Sequence, residues 1–293
     1  MNNSPIQYGW LRSIIYIIAL LLVMVVSGIP AIIIISKISG QSFTEISLFN
    51  KDNIYLLLLY QAILLLGITG LTFLFRKYID RMSLKSLGFS KFGIGKDLML
   101  GLVLGLVLIG GGFTILNLSG NIQIKNITPD YDYLAGSILL CLLISWIEEL
   151  SFRAYILNNF MESFRPYLAL LLSSILFALF HVFNPGMSII GFINLILAGI
   201  LLGIVFLYTK TVWFALSLHF SWNFFQGPFF GFPVSGMEMN GFFNQEREGN
   251  ELLTGGDFGL EGSILCSLLI ILCIFALHRY YNKPANESLN RSQ

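Results

Sequence analysis

The sequence predicts an all-α polytopic integral membrane protein of about eight transmembrane helices, with a polar site between helices 4, 5 and 7. Hydrophobic residues fill 56% of the 293 positions and charged residues only 11%, with a mean hydropathy of +0.78, outside the usual range of soluble globular domains. Apolar runs of about 17 to 25 residues, enough to cross a hydrocarbon core of about 30 Å, recur along the chain. Lys and Arg collect in alternate connections between those runs, as the positive-inside rule requires of a multi-pass chain. The net charge of +1, with no basic stripe, argues against a nucleic-acid partner and leaves membrane lipid as the general one.

In chain order the runs fall at 13–36, 54–75, 98–118, 133–160, 167–183, 187–208, 212–229 and 262–281. The first is too long for a signal-peptide core and lacks a small-residue cleavage site, so it reads as a retained span kinked at Pro30. Between the second and third lie Arg76, Lys77, Arg81, Lys85, Lys91 and Lys96, a topology signal and a contact for anionic lipid. Alternation from that segment places both termini on the cytoplasmic side of a cell membrane, together with Arg12, Arg165, Lys210, Arg279, Lys283 and Arg291. The opposite side collects Asp130, Asp132, Glu238, Glu246, Glu248, Glu251 and Asp257.

Gly101 with Gly105, and Gly199 with Gly203, form GxxxG pairs whose expected role is close helix packing. Cys141, Cys266 and Cys273 fall inside spans and read as small buried apolar residues, not as a disulfide framework. The loop 230–261 is Gly-rich and acidic and is expected to form an irregular external cap, and 282–293 is a polar tail. The whole chain, 1–293, reads as one membrane domain.

The chemistry concentrates in Ser145-Trp146-Ile147-Glu148-Glu149-Leu150-Ser151-Phe152-Arg153. A charge at the bilayer centre costs about 2.5 to 3.5 kcal/mol on insertion scales, so three within six residues must be paired, hydrated or used. At helical spacing Glu149 and Arg153 are i,i+4 and face each other, while Glu148 points elsewhere. Two of the three histidines also sit in spans: His181, four residues after Phe177, and His219, four residues before Asn223. Counted from the inner helix ends at 1.5 Å per residue, Glu148 lies about 18 Å deep, His181 about 21 Å and His219 about 12 Å, heights compatible with one site. His278 reads as interfacial, and Trp146 and Trp222 as packing residues.

This EExxxR, FxxxH and HxxxN series resembles that of the CPBP intramembrane proteases, the family of CAAX proteases and bacteriocin-processing enzymes, in its bacterial form. The resemblance covers roughly 130–230, with a weaker echo in the Gly-rich segment 252–262, and departs at Ala154, where many members carry Gly. It implies an endopeptidase acting on membrane-associated peptides or proteins, such as pheromone or bacteriocin precursors, or serving self-immunity. Glu148 is then the base, His181 holds the water, and His219 and Asn223 face the developing oxyanion. Glu149, Arg153 and Phe177 support them. The resemblance leaves two mechanisms open: a metal-free glutamate mechanism, and a zinc mechanism in which Glu148, His181 and His219 ligate the ion, although no HExxH is present.

Two other function classes fit the same residues. In a transporter the Glu, His and Arg would line a proton or substrate path, against which the lack of a detectable inverted repeat counts mildly. In a non-catalytic scaffold they would bind membrane peptides.

Overall fold

The computed structural model describes residues 4–40 and 54–283. Arg291 and most of the expected polar tail therefore lie outside the described residues. The helices are α1 (Gly9–Ser39), α2 (Ile54–Ile79), α3 (Ile94–Leu118), α4 (Tyr131–Ser163), α5 (Pro166–Leu179), α6 (Ile189–Thr209), α7 (Trp213–Phe224) and α8 (Ile264–Tyr281). The chain is an all-α polytopic membrane protein. Among the described residues six of these helices, α1 to α4, α6 and α8, are long and apolar enough to cross a membrane.

The expectation of eight full spans is corrected at α5 and α7. Helix α5 has 14 residues, and α7 has 12, prolonged by the π-turn Phe225–Phe229. Helix α5 starts with Pro166 in its first turn, where the missing N–H costs nothing, and stops before Asn184-Pro185-Gly186. The residue before a proline avoids the α region, and Gly186 takes φ +68, so the helix cannot run on to 183.

Outward faces of α1 and α2 are apolar and exposed, as at Val26 and Leu66, and suit contact with lipid tails. The buried centre is the second half of α4, where Leu150, Phe152, Ala154, Tyr155, Ile156 and Leu157 are all inside the protein. Helix α3 closes on α7 along Gly101 and Gly105. A Cβ on Gly101 would stand 2.0 Å from Ser217 Oγ, and one on Gly105 2.4 Å from Ser221 Oγ. Ser221 then donates to the Leu102 carbonyl at 2.7 Å, so the small-residue stripe packs backbone against backbone as expected.

At one end of α4 the charges form a buried network. Asp80 accepts from Arg12 at 3.0 Å and from Arg76 at 2.9 Å, and from the Tyr155 hydroxyl at 3.1 Å. Arg12 also pairs with Glu162, and Arg76 donates to Ser86. Arg76, expected to contact anionic lipid, is instead buried, and together Arg12 and Arg76 bolt α1, α2 and α4. A buried pair is strongly destabilising when only one partner is lost.

The loop expected to be irregular contains a strand. β1 (Ile122–Ile127) pairs antiparallel with β2 (Phe243–Arg247), setting Ile122 opposite Arg247 and Ile127 opposite Phe243. Phe230 and Phe243 stack on one another and on Phe113 at the end of α3, which anchors this small sheet over the helices. Lys125 pairs across it with Glu246 at 2.9 Å.

Candidate functional site

Helix α4 changes geometry at the motif. It is α-helical through Glu149 and π-helical from Leu150 to Leu157, and such bulges recur at functional sites because they re-aim side chains. Arg153 Nη1 donates to Glu149 Oε1 at 2.8 Å, the i,i+4 pair read from the sequence. Its other arm donates to the Gly199 carbonyl of α6 at 3.2 Å, and its guanidinium lies 4.5 Å above the Phe177 ring of α5. Phe177 thus supports Arg153, and Arg153 ties α4 to both neighbours.

Glu148 points away from that pair into an internal cavity of about 370 Å³ whose wall also includes His181, His219, Trp222 and Asn223. Its Oε2 is 3.8 Å from His181 Nε2 and 3.8 Å from His219 Nε2. Among the described residues Oε2 of Glu148 is buried and accepts no hydrogen bond. A buried acceptor left open in this way calls for a functional account.

Both rings are held from behind. Nδ1 of His181 is 2.8 Å from the Phe177 carbonyl, an acceptor only, so Nδ1 carries the proton and donates it. Nδ1 of His219 likewise donates to Glu149 Oε1 at 2.7 Å. Each ring is left with Nε2 free to face Glu148, which is what a carboxylate or carbonyl partner on the far nitrogen does to an imidazole. Asn223, one turn beyond His219, is buried and lines the same cavity. The four residues expected to meet do meet, from three separate elements.

His181 reaches the site differently from the expectation. It lies beyond the end of α5, in the turn 180–186, and is corrected from a helix interior to a turn. Its amide still donates to the Ala178 carbonyl and its carbonyl accepts from Asn184, so the turn is a built one. The Asn184 side chain in turn donates to the Ser235 carbonyl at 3.0 Å.

Sequence reasoning did not single out Ser235 and Glu261. Glu261 accepts from Trp222 Nε1 at 3.0 Å, from Ser235 N at 2.6 Å and from Ser235 Oγ at 2.8 Å. Trp222, read as packing, thus also holds a carboxylate in the cavity wall. Ser235 takes φ +46, an uncommon value for a residue with a side chain, and Gly236 beside it touches the Pro185 carbonyl where a Cβ would lie 1.9 Å away. The only signal for this clamp was the Gly-rich segment 252–262 that contains Glu261.

The metal option was tested on the donor geometry. Among the described residues no group of three or more His, Cys, Asp and Glu is arranged to hold a metal ion. Glu148, His181 and His219 as placed do not form such a set.

Residues 131–225 match the family model described as Type II CAAX prenyl endopeptidase Rce1-like. The matched stretch runs from α4 to the end of α7 and contains all seven residues of the three motifs. The resemblance drawn from those motifs is thereby borne out over this part of the chain, and the match supports an intramembrane protease. No curated protein and no solved structure matches the chain.

Proposed function

Taking residues 131–225 as an Rce1-like endopeptidase domain, we propose that the protein hydrolyses peptide bonds of membrane-associated peptides or proteins with a water activated by Glu148. The observation that carries this reading is the approach of two histidine Nε2 atoms to one open carboxylate oxygen in a mostly apolar cavity. Substrates of the peptide-pheromone or bacteriocin-precursor kind, and a role in self-immunity, follow from the resemblance. The basic stretch 76–96 faces the cytoplasm of a bacterial cell in this reading.

Glu148 as carboxylate takes a proton from water, and the resulting hydroxide oxygen bonds to the scissile carbonyl carbon. His181 Nε2 accepts a hydrogen bond from that water and fixes its position. The carbonyl oxygen becomes an oxyanion, stabilised by the Asn223 amide N–H and by the Nε2–H of His219, whose ring takes that proton from solvent before the substrate binds and keeps it throughout. Glu149 favours that protonated ring as a buried aspartate does in a Ser-His-Asp triad, and Arg153 keeps Glu149 in place. Glu148 then returns its proton to the leaving amine as the C–N bond breaks, so protons balance over the cycle.

The test is cleavage of short membrane-associated peptides by detergent-purified protein, wild type beside Glu148→Gln, with fragments identified by mass spectrometry and metal measured on the same samples. Cleavage lost in Glu148→Gln with the fold intact is expected. Equal cleavage in both proteins overturns the assignment, and an unchanged cellular phenotype for Glu148→Gln favours the scaffold. Stoichiometric zinc whose removal by chelator abolishes cleavage moves the mechanism to its metal form, and substrate flux without cleavage favours the transporter.

A further inference from the structure

Among the described residues the cavity wall carries the carboxylates of Glu148 and Glu261, and no lysine or arginine lines it. The nearby Arg153 is committed to Glu149 and to Gly199. Glu261 is buried, and its three donors are an indole N–H, a backbone N–H and a hydroxyl. None of these donors brings a positive charge to the carboxylate, and charges interact at long range in a low-dielectric interior. A second observation marks the same cavity as a binding site. The side chain of Asn223 is 7% exposed and makes no hydrogen bond among the described residues. Most of the remaining wall is apolar, with Leu140, Ile144, Leu202 and Leu218 on three helices.

On the protease reading above, we propose that the cavity takes an apolar peptide segment bearing one positive charge, set against Glu261, and cleaves it internally, away from any free C-terminal carboxylate. A terminal carboxylate desolvated against Glu148 and Glu261, with no lysine or arginine among the described residues of the wall, is repelled, whereas a cation in the same position is attracted. The charge is an ammonium or a guanidinium, from a Lys or Arg side chain or from a free peptide N-terminus.

The experiment uses full-length protein in nanodiscs and a matched set of quenched-fluorescent peptides sharing one apolar core. Two carry Lys and two carry Gln in its place, one of each pair with a free N-terminus and one acetylated. A final pair ends three residues past the core as free carboxylate or as amide. Binding is measured on Glu148→Gln protein and cleavage on wild type. The Lys peptide is expected to bind about tenfold more tightly than the Gln peptide, the size of one charge-assisted hydrogen bond. That ratio is expected to fall near one in Glu261→Gln, a change that removes the charge and keeps one of the two acceptor oxygens that Trp222 and Ser235 use.

A preference for Lys over Gln that persists between the acetylated peptides assigns the charge to the side chain, and a Gln peptide that binds more tightly with a free N-terminus than with an acetylated one assigns it to the N-terminus. The amide of the final pair is expected to bind better than the carboxylate. Equal binding of all four Lys and Gln peptides, or tighter binding of the free carboxylate, overturns the proposal. If Glu261→Gln does not fold, those wild-cavity comparisons still decide it. If wild type cleaves nothing while the Lys preference holds, the protease reading fails and the charge selection stands.

Discussion

His219 Nδ1 stands 2.7 Å from Glu149 Oε1, and Arg153 Nη1 holds the same oxygen at 2.8 Å. Two neighbouring glutamates are thereby separated in function: Glu149 is fixed between two donors, while Glu148 keeps an open oxygen in the cavity. Glu149→Gln is expected to lower kcat about 10²- to 10⁴-fold with KM little changed, because the imidazole loses the anion that sets its tautomer and favours its protonated form. Thermal unfolding separates this from instability, since the same change leaves Arg153 without its anion. If kcat per folded molecule is unaltered, Glu149 has no part in the chemistry.

Asn223→Ala removes the amide assigned to the oxyanion. Its expected effect is a fall in kcat of about 10²- to 10³-fold, the cost of losing one such donor. A rise in KM at constant kcat would instead make Asn223 a substrate-binding group.

Gly236→Ala places a methyl where the Pro185 carbonyl stands, at a residue with φ +82. The turn that carries Pro185 also carries His181, so the ring shifts from Glu148. A displacement near 1 Å costs about 10²-fold in rate. Gly70→Ala, where a Cβ meets nothing within 4 Å, is the control expected to leave activity unchanged. Steady-state kinetics on both variants give the comparison.

Asp80→Ala leaves Arg12 and Arg76 buried without their shared anion. The expected loss of stability is about 3 to 5 kcal/mol, read as a lowered melting temperature in detergent. Activity per folded molecule should stay within about twofold, since Asn159 beside Asp80 is eleven residues, about 16 Å, along α4 from Glu148.

Much of the site was legible because its pairings are short-range. Glu149 with Arg153, Phe177 with His181, and His219 with Asn223 are each one helical turn apart, and a charge in an apolar run announces itself. What lay beyond reading depends on long-range closure. Arg12 meets Asp80 across 68 positions, β1 finds β2 across more than a hundred, and Glu261 reaches Trp222 across 39. None of these leaves a periodic trace. The end of α5 was misjudged for another reason. Apolar residues continue past it to Phe183, so hydropathy alone did not register the Pro185 and Gly186 turn that follows, whereas the run 212–229 matches α7 with its π-turn.

The brevity of α5 has a consequence for the surrounding lipid. Fourteen residues rise about 21 Å, well short of a hydrocarbon core of about 30 Å, and the chain turns back at His181 where a full span would continue. Lipid beside such a short wall must thin or let headgroups dip inward, at a cost of fractions of a kcal/mol per ångström of mismatch. Water and the polar ends of a peptide then come within reach of His181 without a long aqueous channel. The acyl-chain length of the host membrane is therefore expected to bear on the proposed cleavage, with thin bilayers relaxed around α5 and thick ones strained against it.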